Sequence, residues 1–127
     1  MKRKTLIGLI SAAAVLAAGR YVYSGMGAAE VLRKLAGIRL SAELFRQEHK
    51  RLPRSFAETL SAGSLEEVPR LKLRWHPARS SVRDTASMTI RDTGAWAYVN
   101  DPASPDYGLL YIDCAHRDEK GRFWSEF

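Results

Sequence analysis

The sequence predicts an α+β chain: one long N-terminal helix, its first half transmembrane, packed on a small antiparallel β-sheet. Three observations point there. The chain opens on Lys2, Arg3 and Lys4, then runs from residue 5 to residue 29 with Arg20 as its one charge. An apolar period alternating between three and four residues comes next, as far as Pro53. Short alternating runs separated by turn formers fill the remainder.

The N-terminal element is a membrane segment by its charge pattern. A cationic head before an apolar run stays on the cytoplasmic side while the run enters the bilayer. Residues 6–23 make a helix of about 27 Å, just enough for a hydrocarbon core of about 30 Å. Arg20 stands near the far end, where its long side chain can reach the headgroups. Tyr21 and Tyr23 suit the same layer. Leu6, Ile7, Leu9, Ile10, Val15 and Leu16 are the lipid-facing and assembly residues. The small residues at 12–14 and 17–19 also fit a cleaved signal peptide, and a plain single-span anchor is a further reading. The pattern beyond Gly27 favours a third, a helix that leaves the membrane and continues.

Val31, Leu35, Ile38, Ala42 and Phe45 are spaced 4, 3, 4, 3, with Leu32, Ala36 and Leu44 widening the stripe. This seam is expected to pack on the sheet. The helix should stop by Leu52, because Pro53 disfavours helical geometry in the residue before it. One rod over residues 5–50 would measure about 70 Å. Gly19, Gly25 and Gly27 are the points where it can bend or melt.

Past Pro53, Ser55 and Glu58 have capping-box spacing for a short helix over residues 55–60. Leu71, Leu73 and Trp75 alternate with Lys72, Arg74 and His76, a half-buried strand ended by Pro77. Residues 88–91 alternate likewise. Asp92-Thr93-Gly94 is a turn, and residues 95–99 form an aromatic-rich strand. A loop over residues 100–108 leads to a strongly apolar strand over residues 109–114. After a turn at Glu119-Lys120-Gly121, residues 122–124 close the sheet. Such short turns predict antiparallel pairing as a meander, covered on its apolar face by the long helix. The chain thus divides into residues 1–25 (cytoplasmic basic tip and transmembrane half of the helix), 26–52 (soluble half) and 53–127 (sheet region). Its 127 residues hold one small domain.

These patterns together resemble type IV pilin-like proteins, most of all the pseudopilins of bacterial type II secretion. Thr5-Leu6-Ile7, with residues 12–18 and Arg20-Tyr21 beyond, is similar to the start of the pilin helix. Residues 42–53 resemble its end, with the proline just past it. Residues 92–99 resemble a late strand, and residues 107–113 with 120–124 the terminal hairpin. The chain departs from the family at three places. Arg3 and Lys4 stand where precursors carry a glycine and a hydrophobic residue before Thr-Leu-Ile, and Gly8 stands where they carry a glutamate. The glycine is the peptidase's cleavage point, and the glutamate pairs with a neighbouring subunit's amine. The departures fit an uncleaved relative that stays as a single-span anchor.

The resemblance implies a structural role without catalysis. The chain would be a pseudopilin-like subunit or accessory of a type II secretion or type IV pilus-type assembly. Its partners would be the bilayer, other pilin-like subunits or itself, and the secretion platform. It would sit in the bacterial inner membrane with its C-terminal domain in the periplasm. The alternative is a signal-anchored periplasmic binding domain that does not polymerise.

The chemistry-bearing residues add little by spacing alone. The net charge is +6, basic at residues 33–54 and 70–83 and acidic at 84–127. That asymmetry suits head-to-tail attraction between copies. No nucleic-acid motif accompanies it, so no nucleic-acid partner is expected. The single cysteine, Cys114, cannot form an internal disulfide and reads as a buried, inert thiol. Cys114 and His116 share one side of a strand, but an enzyme built on them is poorly supported. Zinc needs about four ligands, and His49 and His76 have no paired partner in the sequence. No cofactor is expected beyond calcium, for which Asn100, Asp101 and Asp106 offer oxygen ligands in one loop. The same residues are turn formers.

Overall fold

A computed structural model describes residues 2–127. Helix α1 spans Lys2–Tyr23. Over residues 3–23 it is long and apolar enough to cross a membrane, and none of it is buried by the rest of the chain. Leu6, Ile7, Leu9, Ile10, Val15 and Leu16 are all exposed.

The unbroken rod is not observed. Helical geometry stops after Tyr23 and resumes with α2, Ala28–His49. The cause is a close approach of backbones at Gly25. A β-carbon there would lie 2.6 Å from the Arg74 nitrogen and 3.2 Å from the Leu73 carbonyl carbon. The interrupted backbone is satisfied from the same segment: Met26 N–H donates to the Lys72 carbonyl at 2.8 Å, and Lys72 Nζ donates to the Ser24 carbonyl at 2.7 Å. Helix α2 therefore begins afresh on Gly27, which has no side chain to cap with. The cap comes from 91 residues away, where Glu119 Oε1 accepts from Ala28 N–H at 2.8 Å. That hydrogen bond holds the Glu119 carboxyl below its usual range.

The α2 seam is as the spacing predicts. Val31, Leu35, Ile38, Ala42 and Phe45 are all buried, joined by Ala28 and Ser41. The stripe is narrower than expected, because Ala36 and Leu44 face outward and Leu32 is half-buried. Leu40 is 59% exposed on the opposite face. The helix closes on Lys50 in the left-handed conformation (φ 57°).

The short helix α3, Ala57–Ser61, lacks the expected capping box. Ser55 Oγ donates to Asp84 Oδ2 at 2.7 Å, and Asp84 Oδ1 accepts from Phe56 N–H at 3.0 Å. Glu58 accepts instead from Arg54 N–H.

The sheet has three strands in the order β1-β2-β3: Val82–Thr85, Ala95–Val99 and Leu110–Asp113. β2 and β3 pair antiparallel, with Trp96 opposite Ile112 and Tyr98 opposite Leu110. β1 runs parallel to β2, with Val82 opposite Trp96 and Thr85 opposite Val99, so the all-antiparallel meander is corrected. A parallel neighbour requires a crossover. Residues 86–94 supply it, and they displace the strand expected at 88–91. Met88 and Ile90 are exposed, and the Tyr111 hydroxyl donates to the Thr89 carbonyl at 2.8 Å. The crossover lies over the far face of β2 and β3, where Ala97 and Tyr111 are buried. The near face, Trp96, Tyr98, Leu110 and Ile112, joins the α2 seam in the main core.

The strands expected at residues 71–76 and 122–124 reduce to single bridges, Leu71 with Arg79 and Arg117 with Phe123. Leu71 and Leu73 are buried, but the chain turns at Trp75 (φ 70°), leaving that side chain 52% exposed. Lys72, expected to face solvent, is only 5% exposed because its ammonium serves the α1–α2 break. A 3₁₀ turn, Trp124–Glu126, ends the chain with Trp124 in the core.

Leu35→Ala should cost the full-length chain in detergent about 2–5 kcal/mol. Leu40→Ala should stay within about 0.5 kcal/mol. Chemical denaturation of both variants checks the direction of the seam. Glu119→Ala should cost about 1 kcal/mol at neutral pH through loss of the cap. The folded carboxyl titrates below its unfolded value of about 4.3, so this contribution is complete above that value and lost as pH falls through the folded one. Wild-type and variant thermal midpoints should therefore converge on acidification from pH 7 to pH 3.

Candidate functional site

Two features stand out once the fold is in place. One is the uncovered apolar α1. The other is a knot of side chains at the base of the domain, beside the exit of α1.

The α1 exit is built from aromatic and cationic groups. Tyr23 meets Trp75 edge-on at 5.5 Å, and the Arg74 guanidinium lies 4.3 Å from the Tyr23 ring centre. The Lys72 ammonium sits 4.8 Å from the Tyr21 ring centre. Trp75 N–H donates to the Val22 carbonyl at 2.7 Å, and Ala78 N–H to the Tyr21 hydroxyl at 3.0 Å. The segment from Leu71 to Arg79 is thus fastened to the end of α1. Tyrosine, tryptophan and basic side chains are the groups that suit a membrane–water interface.

The same segment carries His76 into the knot. Asp92 arrives from the β1–β2 crossover, and Cys114 and His116 from the stretch just after β3. His76 Nε2 lies 3.1 Å from Asp92 Oδ1, 3.2 Å from His116 Nδ1 and 3.4 Å from Cys114 Sγ. His116 Nδ1 lies 3.3 Å from Asp92 Oδ1 and 3.5 Å from Cys114 Sγ. All four ligand-type atoms fall within 4.8 Å of one another. Among the described residues they are the one group of three or more His, Cys, Asp or Glu side chains close enough to share a metal ion.

Each member is positioned by local backbone. His76 packs on Gly94, which is left-handed (φ 71°) and donates its N–H to the Asp113 carbonyl at 2.8 Å. A β-carbon at Gly94 would overlap the His76 side chain. Asp92 is itself left-handed (φ 56°), a conformation asparagine and aspartate tolerate better than most residues. Its turn is fixed by the buried Asp113 carboxylate, which accepts from the N–H groups of Arg91 (2.6 Å), Asp92 (3.2 Å) and Thr93 (3.3 Å) and from the Thr93 hydroxyl (2.6 Å). Arg83 adds an ion pair at 3.2 Å. Burial opposes the Asp113 charge, yet the Thr93, Arg91 and Arg83 contacts hold the group below the usual carboxylate range.

Burial sets the electrostatics of the knot. It pushes the Cys114 thiol up to about 12, opposed by the N–H of His116, which donates to the sulfur at 3.3 Å. Burial also holds the His76 imidazole below its ordinary value, against the pull of Asp92. For Asp92, burial is outweighed by the Ala115 N–H, donating at 2.8 Å, and by the two imidazoles, so its carboxyl lies low.

No protein-family model, curated protein or solved structure matches this chain.

The calcium candidates lie elsewhere, in the β2–β3 loop. Asn100 Nδ2 donates to the Arg54 carbonyl at 3.1 Å, Asp101 Oδ1 accepts from Ala103 N–H at 2.9 Å, and Asp106 N–H donates to Ser104 Oγ at 3.2 Å. The last two are local turn bonds that such residues form by themselves, whereas Asn100 ties the loop to the segment after α2, 46 residues earlier. His49 stacks on Phe45 at 4.0 Å. Spacing placed His76 alone and gave Asp92 only a turn. The Cys114-x-His116 pair was the one visible signal, and its partners come from 38 and 22 residues upstream.

Gly94→Ala should destabilise the chain by more than the ~1–2 kcal/mol expected of a left-handed position alone. Gly121→Ala, left-handed (φ 80°) with open space around it, should show only that backbone cost. Comparing the two thermal midpoints isolates the contact between Gly94 and His76.

Proposed function

We propose that the chain is a single-span structural subunit of a pilin-type assembly, or an accessory to one, in the bacterial inner membrane with its domain in the periplasm. One observation carries this reading: a helix of membrane-spanning length and composition emerges from a packed α+β domain with none of its residues buried by its own chain, which touches it only at its last turn. Such a helix needs lipid or other helices around it. Support also comes from α2, which follows α1 after a gap of four residues and lays its seam under a small sheet. An amphipathic helix laid under a small sheet is part of what the resemblance implies, although here the helix is interrupted at residues 24–27 and the sheet is mixed. Gly8 leaves the helix surface open, with nothing within 4 Å of where a β-carbon would stand. Close approach of a second helix is sterically free there.

A second reading is favoured by Gly8 as well. It supplies no carboxylate to pair with a neighbour's amine, which fits an anchored domain that remains single.

Cysteines introduced at Leu6 or Leu9 should cross-link chains within native membranes, and the protein should resist alkaline extraction with its N-terminus intact by mass spectrometry. Membrane retention with no cross-link at any α1 position would leave the anchored monomer. Release into the soluble fraction would sink both readings.

A further inference from the structure

We propose that His76, Asp92, Cys114 and His116 form a four-ligand site for a zinc-class divalent metal ion, and that the metal staples the base of the domain to the exit of α1. The proposal is independent of whether subunits assemble.

Geometry carries the argument. A tetrahedral zinc site with bonds of about 2.0–2.3 Å has ligand-to-ligand edges of about 3.3–3.6 Å. Five edges between the four atoms run from 3.1 to 3.5 Å; the sixth, sulfur to carboxylate, is bounded only by 4.8 Å, and binding an ion would draw it in to the tetrahedral edge.

Hydrogen bonding does not account for the same arrangement. A ring nitrogen has one lone pair or one N–H in the ring plane. His76 Nε2 has three close neighbours, and His116 Nδ1 has the same oxygen and sulfur besides His76. One direction cannot serve three partners. A cation among the four atoms satisfies all of them at once.

The donor set selects the metal class. Sulfur and two imidazoles exclude calcium and magnesium, which take oxygen cages. Thiolate, two imidazoles and one carboxylate suit zinc, and together they balance a charge of two. Four protein ligands make a closed site, the structural rather than the catalytic kind. The second layer is present too, since His116 N–H donates to the sulfur and Ala115 N–H to Asp92 Oδ1.

The ligands come from three stretches: residues 71–79, the β1–β2 crossover and the segment just after β3. One of them, residues 71–79, holds the Val22 carbonyl and the Tyr21 hydroxyl. Metal loading therefore stiffens the joint between anchor and domain.

The test uses the full chain in detergent, stripped with chelator, in a His49→Gln background to remove a stray imidazole. Cobalt(II) should bind at one equivalent, with the visible bands of a tetrahedral ion and a near-ultraviolet sulfur-to-cobalt band, all displaced by zinc. Zinc should raise the thermal midpoint. Cys114→Ser should lose the sulfur band. His116→Gln, at a ring 39% exposed and so tolerant of change, should weaken zinc binding by more than about tenfold and abolish the thermal shift. An octahedral cobalt spectrum, or zinc uptake by His116→Gln as tight as in wild type, would overturn the proposal.

Discussion

Everything in the domain hangs on the burial of one narrow seam. Val31, Leu35, Ile38 and Ala42 meet Trp96, Tyr98, Leu110 and Ile112 across the interface between α2 and the sheet. Neither side is stable alone: a three-stranded sheet of short strands cannot hide its aromatic face, and a helix of 22 residues with one apolar stripe needs a cover. Both termini of the seam are closed by groups from far along the chain. Glu119 caps the start of α2, while the Tyr98 hydroxyl reaches the Pro53 carbonyl at 2.6 Å just past its end. The helix thus serves as the foundation on which late segments are assembled.

That foundation explains the break after α1. A continuous helix would have carried its axis straight through residues 24–27. Instead the backbone of residues 72–75 presses against Gly25, and hydrogen bonds across the gap replace the helical ones. Helix α1 and the domain therefore meet at a joint held by specific bonds, with aromatic and basic groups around it. The four-residue knot lies on the far side of the same segment. Its placement depends on Asp113, whose buried carboxylate gathers the crossover turn and so aims Asp92.

Much of this was legible residue by residue. The apolar run of α1, the five seam positions and the apolar strands β2 and β3 all follow from period and composition, because burial repeats with helix or strand geometry. The misreadings share another cause. β1 was invisible because its central residues, Arg83 and Asp84, are charged and serve remote partners, Asp113 and the start of α3. Met88 and Ile90 alternate like a strand, yet the segment is a crossover lying on the far face of the sheet. Lys72 and Trp75 exchanged expected places because the ammonium was needed by the Ser24 carbonyl and the indole was turned out at a left-handed residue.

By itself the sequence determined what is local: a charge-headed apolar helix, an amphipathic successor and two core strands. Those properties depend on neighbours three or four residues away, or on alternate residues along a strand. Only the tertiary structure decided the parallel pairing of β1, the break at Gly25 and the convergence of His76, Asp92, Cys114 and His116. These depend on contacts between residues tens of positions apart, for which no spacing rule exists. The chain must close on its seam before such groups can meet.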